Sequence, residues 1–339
     1  MKRFHDASLK QFNSFSVEAR AAQLVELESE DDLNGFIVDN PFDQTRDLIL
    51  GGGSNVLFTA DIDGTVILNR VSGKQIVELT DDEALVDASA GENWHQLVLW
   101  SLDQGLSGIE NLSLIPGLAG AAPMQNIGAY GVELADVLES VHTIDLQNGE
   151  TRVFQKHDCH FAYRNSRFKS TDAGKYMITG IRLRLQRKFT PELAYMGIGE
   201  ELLSMGIDTP TASQVSDAVI HIRQRKLPDP RHTGNAGSFF KNPVVSRTTA
   251  DLLTKDHADL PVYSAGDQAK LSAAWLIERC GWKGRSMGRA AVSEQHALVL
   301  INRGGATGLE ILALADAIRE SVKSRFGVEL QPEPLIIRP

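Results

Sequence analysis

From Gly108 to Gly131 the chain is rich in Gly, Ala, Pro and Asn and carries no hydrophobic period, so this stretch can be neither an amphipathic helix nor an alternating strand. Irregular segments of such length in a folded domain usually carry function. Within it, Ile115 to Gly131 has small residues between its two prolines, which leaves room for a large flat ligand, and Gln125, Asn126 and Tyr130 can supply directional hydrogen bonds. A close-packed structural crossing is the alternative reading. A second glycine segment strengthens the first. Asp47 to Leu50 is a short apolar run that feeds Gly51-Gly52-Gly53-Ser54-Asn55, and Val66-Ile67-Leu68 is a further strand candidate. Successive N–H groups in a glycine turn form a concavity suited to a pyrophosphate, although a plain tight turn needs the same residues. The sixth position is Val56 and no strand–turn–helix unit surrounds it, which speaks against a Rossmann fold and for a different dinucleotide fold.

The 339 residues suffice for two or three domains without disulfide staples, and 42% hydrophobic with 23% charged residues is ordinary for a globular protein. Cys159 and Cys280 are too few and too far apart for a disulfide framework or a zinc site, so both are expected as buried thiols and no metal is expected. With 34 basic and 44 acidic side chains the net charge is −10, which disfavours nucleic acid and anionic membranes as partners. No apolar run reaches a membrane span, and the charged start lacks the apolar core of a signal peptide, so a cytoplasmic protein is expected. P-loop, HExxH and GxSxG signatures are absent, which removes P-loop nucleotidases, zincins and α/β-hydrolases.

Asn93 to Gln104 has helical spacing, with Leu97, Trp100 and Ser101 on one side and Gly105 as a stop. Strand patterns return at Val141 to Leu146 and Tyr176 to Leu185, giving an α+β order. A link from Thr190 to Pro210 precedes a helix at about Thr211 to Leu227, whose Val215, Ala218, Val219 and Ile222 form one stripe. The capping box Thr307-x-x-Glu310 opens a further helix that carries Ile311, Leu314, Ala315, Ile318 and Val322 inward and closes at Gly327. Arg223, Arg225, Lys226, Arg231 and Lys241 against the single Asp229 make a local basic excess that could capture a diphosphate. Arg223 and Arg225 have a second explanation as complements of the helix macrodipole, which leaves Lys226 as the better ligand candidate.

Four ordered motifs now stand together: Leu50 to Leu57; Ile115-Pro116-Gly117 with Gln125 to Gly131; Tyr163-Arg164-Asn165-Ser166; and Gly234-Asn235-Ala236-Gly237-Ser238-Phe239-Phe240-Lys241-Asn242-Pro243. Over nearly the whole chain they resemble the type I UDP-N-acetylenolpyruvoylglucosamine reductases. The resemblance implies a two-part FAD-binding region of the vanillyl-alcohol-oxidase (PCMH) type plus a C-terminal α+β substrate-binding domain. The expected division is 1–72 joined by 328–339 as the first FAD-binding part, 73–212 as the second, and 213–327 for substrate. It implies FAD with NADPH as co-substrate, and because no histidine lies in 51–57 the FAD is expected to be non-covalent. Gly51, Gly52, Gly53, Ser54, Asn55 and Val56 would hold the pyrophosphate. Ile115, Pro116, Gly117, Gly120, Gln125, Asn126, Gly128 and Ala129 would run beside the cofactor, with Ile178 a further contact.

The same resemblance makes Arg164, Ser238 and Glu333 catalytic. A guanidinium fork matches a carboxylate and can stabilise charge that builds on it when hydride reaches the adjacent alkene. Ser238 would protonate the neighbouring carbon, and Glu333 would orient the carboxylate or the proton donor. Gln331 replaces a common upstream acid, and Pro334-Leu335 departs from the usual continuation. Tyr130, Tyr195, Lys226, Asn242 and His296 are the implied substrate contacts, His296 standing where many relatives have glutamine. The expected reaction is the NADPH-driven reduction of UDP-N-acetylglucosamine enolpyruvate to UDP-N-acetylmuramate, a step of peptidoglycan precursor synthesis, by a monomer acting on a small UDP-sugar. Another flavin oxidase or dehydrogenase of the same fold, or a non-catalytic UDP-sugar-binding module, are the rival expectations.

Overall fold

Alternation decides the largest sheet: in the Glu83–Ser89 strand Ala84, Val86 and Ala88 are buried while their neighbours are half-exposed. The computed structural model describes residues 1–40, 42–195 and 197–338. These form two units, one of Met1–Ala7, Ala21–Gly52 and Ile62–Arg223, the other of Ser8–Arg20, Gly53–Asp61 and the chain from Gln224 onward.

In the first unit a five-stranded sheet runs in the order Thr151–Gln155, Leu138–Asp145, Tyr176–Gln186, Glu83–Ser89, Lys74–Leu79, antiparallel throughout. The helix Trp94–Asp103 contributes Trp94, Leu97 and Val98 to its core, with Asn93 capping through a bond from the Gln96 N–H. Trp100, expected on the inner stripe, is only partly buried, and Gly105 ends the helix region at φ 73°. A smaller sheet orders Lys2–Ser8, Arg20–Leu27, Ile62–Asn69 and Leu48–Leu50, with Ile62–Asn69 parallel to both of its neighbours. Leu33, Phe36 and Ile37 of the helix Glu30–Asp39 pack with Val25, Leu27 and Ile67 of this sheet, with Ile144 and Met177 of the larger one and with Leu146 just beyond it.

Two expectations need correction here. The Thr190 to Pro210 link contains a helix, Ile198–Ser204, whose Ile198 and Leu202 pack on Val215, Ala218, Val219 and Ile222 of the helix Ala212–Lys226. Only Cys159 is a buried thiol, pushed up to about 12 chiefly by desolvation, whereas Cys280 is partly exposed at the end of the helix Ala273–Arg279.

The second unit holds a four-stranded antiparallel sheet in the order Gly234–Ser238, Val299–Asn302, Ala290–Val292, Ser286–Met287. The helix Gly308–Phe326 begins at the Thr307/Glu310 capping box and buries Ile311, Leu314, Ala315, Ile318 and Val322, as its spacing predicts. A three-stranded sheet, Val244–Ser246, Gln268–Leu271 and Val262–Ala265, adds Ala269 and Leu271 to the same core, which also takes in Phe15, Val17 and Leu57. Val56–Phe58 pairs in parallel with Leu335–Ile337.

Candidate active site

In the first unit the two glycine segments touch. A Cβ on Gly52 would lie 2.9 Å from the Gly117 Cα, one on Gly51 3.2 Å from the Ala121 Cβ, and one on Gly120 2.4 Å from the Ala90 Cβ. The backbones therefore pack where side chains at Gly52 and Gly120 would force them apart, the close-packed crossing of the alternative reading, while Gly52 itself stays exposed. Beside it Pro116 is exposed and Ile115 and Gly117 are partly exposed. Leu114 at φ 58°, Asn126 at 46°, Tyr130 at 51° and Arg164 at 53° are all left-handed, a conformation non-glycine residues hold only where surrounding structure compels it.

Arg164 is held in a two-residue turn closed by reciprocal backbone bonds between Ala162 and Asn165. Its Nη2 donates to the Gly128 carbonyl at 2.6 Å, and the guanidinium lies 5.3 Å from the centre of the Tyr163 ring. Ser166 Oγ donates to the Met124 carbonyl and Lys169 Nζ to Gln125 Oε1, so the Tyr163–Ser166 motif is tied along the 124–128 backbone. Asn126 was expected to offer its side chain to a ligand. Instead its Nδ2 donates to Glu133 and its Oδ1 accepts from the Ala135 N–H in a buried position, so only its backbone is left for a ligand. Ile178 points into the core of the five-stranded sheet, Ala129 pairs with Val132, and Tyr130 meets Tyr195 edge to face at 5.3 Å.

Arg223 was missed as a site residue. Rather than sitting on the helix surface, its guanidinium is buried, its Nε has no hydrogen-bond partner among the described residues, and desolvation works against its charge while Tyr130 supports it. Its charge in turn adds to burial in lowering His95, whose Nδ1 accepts the Leu114 N–H at 3.0 Å and fixes the strained residue before Ile115. A buried cation with an open N–H is a place an anionic ligand group would complete. The i, i+4 position of Arg223 relative to Val219, on the apolar stripe, was the available signal.

In the second unit the segments of Ser238 and Glu333 lie side by side. The Glu333 N–H donates to the Phe239 carbonyl at 2.8 Å and the Lys241 N–H to the Gln331 carbonyl at 3.0 Å. Glu333 precedes the Leu335–Ile337 strand rather than lying in it. Asn55 Nδ2 donates to the Glu333 carbonyl at 3.3 Å, and the Leu335 N–H donates to the Asn55 carbonyl, which brings the Gly53-Ser54-Asn55-Val56 half of the glycine turn to the same place. Gly237 at φ 68° turns the chain so that Ser238 is half-exposed while Phe239 and Phe240 enter the core. Asn242 Oδ1 accepts the Ala273 N–H, leaving Nδ2 without a partner among the described residues. Of the basic stretch, Arg231 is committed to Asp229, whose carboxyl it holds down at about 2, whereas Lys226 makes no ion pair among the described residues. Lys226 acts on the partly buried His296 ring.

Comparison with known proteins agrees with this geometry. Residues 21–155 match the family described as "FAD binding domain", and 229–337 match "UDP-N-acetylenolpyruvoylglucosamine reductase, C-terminal domain". A UDP-N-acetylenolpyruvoylglucosamine reductase of Burkholderia multivorans (strain ATCC 17616 / 249) is 46% identical over 335 residues, 98% of this chain and 96% of that protein. The chain belongs to the UDP-N-acetylenolpyruvoylglucosamine reductase family. The reductase of Azoarcus sp. (strain BH72) is likewise 46% identical, over 98% of this chain and 97% of its own. Among solved structures, the reductase of Thermus caldophilus aligns with a TM-score of 0.68 at 24% identity, covering 99% of this chain and 98% of that one. A solvent-stable cholesterol oxidase aligns with a TM-score of 0.51 at 12% identity, over 98% of this chain and 86% of that one. The fold is thus an FAD-binding domain joined to the C-terminal domain of the reductase family, with the fold of the cholesterol oxidase as a more distant likeness.

Proposed function

We infer that this chain catalyses the NADPH-dependent reduction of UDP-N-acetylglucosamine enolpyruvate to UDP-N-acetylmuramate, a step of peptidoglycan precursor synthesis. The observation that carries the reading is 46% identity with a reductase of that name over 98% of this chain and 96% of that protein. FAD held by this chain would supply the two-electron, hydride-transfer chemistry that links NADPH to the enolpyruvyl double bond. Gly51, Gly52, Gly53, Ser54, Asn55 and Val56 hold the dinucleotide pyrophosphate through backbone N–H groups, while Ile115, Pro116, Gly117, Gly120, Gln125, Gly128 and Ala129 line its flank. Ile178 supports this flank from the core, and Asn126 fixes its backbone.

Arg164 and Glu333 orient the substrate carboxylate, and the Arg164 guanidinium stabilises the negative charge that develops on it. Ser238 donates its hydroxyl proton to the carbon next to that carboxylate. A hydroxyl is a weak acid, but a carbon with enolate character is a strong base. Lys226, Asn242 and His296 take the diphosphate, and Tyr130 with Tyr195 covers the sugar. We assign residues 1–72 with 328–339, and 73–212, to the cofactor and 213–327 to the substrate. The partner is a small molecule in the cytoplasm, and the chain acts as a monomer without nucleic acid or membrane; among the described residues no helix is long and apolar enough to cross a bilayer.

The test is optical. Purified protein is expected to be yellow, to bleach on adding NADPH without oxygen, and to regain colour on adding the enolpyruvyl sugar. Colour that returns only with oxygen would instead indicate an oxidase, and a colourless protein a binding module.

A further inference from the structure

His296 lies in the turn between the Ala290–Val292 and Val299–Asn302 strands, beside the strand that ends at Ser238. That turn is closed by bonds from the Ser293 N–H to the Val299 carbonyl and from the Val299 N–H to the His296 carbonyl, so the residue has little freedom. The Leu298 N–H points at the ring nitrogen Nδ1, at 3.2 Å. A backbone N–H can only donate, so Nδ1 must be the bare nitrogen and the ring proton must sit on Nε2. Among the described residues Nε2 has no partner. The charged groups that act on the ring are Lys226, Lys283 and Glu278, and Glu278 is engaged by Lys283 at 3.2 Å. Burial and the two lysines all oppose a positive ring, and Glu278 alone favours it. A doubly protonated ring would also set an Nδ1–H against the Leu298 N–H, donor against donor, and lose that bond.

We propose that His296 is a tautomer-locked, neutral donor: its Nε2–H hydrogen-bonds a phosphoryl oxygen of the UDP-sugar, Lys226 supplies the charge, and the ring takes up no proton on binding. This rests on the diphosphate reading given above and adds how the site recognises the anion. It makes the imidazole an equivalent of an amide N–H rather than a cation, so affinity is independent of a histidine titration near neutrality.

The probe is UDP-N-acetylglucosamine, whose diphosphate does not titrate near neutral pH, added to FAD-loaded protein with 15N-labelled histidine. Long-range proton–nitrogen correlation is expected to show Nδ1 bare and Nε2 protonated, with and without the probe at pH 7, the His296→Leu variant assigning the signals. Calorimetry in two buffers of different ionisation enthalpy should find no proton exchanged. His296→Leu should weaken binding about tenfold, and His296→Gln, which restores an N–H, should stay within about threefold of the unsubstituted protein. A doubly protonated ring in the complex, an Nδ1–H tautomer, or undiminished binding by the leucine variant overturns the proposal. If the unsubstituted protein binds no probe, the diphosphate seat itself is misplaced and the proposal falls with it; binding through a charged ring defeats the proposal alone.

Discussion

Glu110 is a carboxyl group buried just before the segment that carries Ile115, Pro116 and Gly117, with Oε2 accepting the Gly108 N–H at 2.6 Å. Desolvation raises its pKa, and the backbone N–H groups that point at it recover only part of that shift. The folded protein therefore holds this proton more tightly than the unfolded chain. Its contribution favours folding at low pH and is lost as pH rises from the unfolded glutamate value, about 4.3, through the raised folded one. Glu110→Gln removes the titration, so the difference in Tm between variant and parent should shift in the variant's favour as pH rises from 4 to 7. A pH-independent difference would exclude the buried carboxyl as its origin. Ser238→Ala tests the proton donor: flavin bleaching by NADPH should persist, while recolouring by the enolpyruvyl sugar slows on the order of 10²–10⁴-fold in stopped flow. Equal slowing of both half-reactions would remove Ser238 from that role. At this scale the motifs that carry Arg164 and Ser238 were legible in the sequence, while the roles proposed for both rest on the family resemblance. The sequence was not readable for Arg223, because a basic residue in the last turn of a helix has an adequate surface explanation until burial is known.

Helices with local signals were legible, and those without were not. The Gly308–Phe326 helix announces both ends, through the Thr307 and Glu310 side chains bonded to each other's backbone N–H and through Gly327 at φ 68°. Thr307→Ala should cost about 1 kcal/mol, seen as a lower urea midpoint with an unchanged slope. A loss below a few tenths would mean that packing of Ile311, Leu314 and Ile318 alone sets the helix start. The Ile198–Ser204 helix has no such mark: it is short, begins after Gly197 at φ 105°, and has no side-chain cap. Its stability comes from Ile198 and Leu202 meeting Val215 and Val219, a tertiary effect that propensity does not register. The 108–131 segment escaped for a related reason, since its turns Glu110–Leu112 and Ala119–Gln125 are too short to show a period.

The second unit is assembled from distant parts of the chain. Phe15, Val17 and Leu57 are buried in its core, the Asn235 N–H donates to the Ser14 carbonyl at 2.9 Å, and Asn302 Nδ2 donates to the Phe15 carbonyl at 2.9 Å. The fragment 224–339 should therefore fail to fold alone, although 229–337 matches a family domain by sequence. Removing Phe15, Val17 and the Val56–Phe58 strand with its Leu57 leaves cavities and an unpaired edge worth several kcal/mol, comparable to a domain's net stability. A cooperative thermal transition of the isolated fragment would contradict this. Length had limited the chain to two or three domains, but which pieces share a core is fixed by pairing across long separations, and no local pattern reports that. The Val56–Phe58 strand also has a history on the ribosome. Its partner Leu335–Ile337 is made roughly 280 residues later, a wait on the order of tens of seconds at ordinary elongation rates, during which three apolar residues stand without their strand. A nascent-chain chaperone is expected to find its occupancy site there, and to lose it once Leu335–Ile337 has paired with Val56–Phe58.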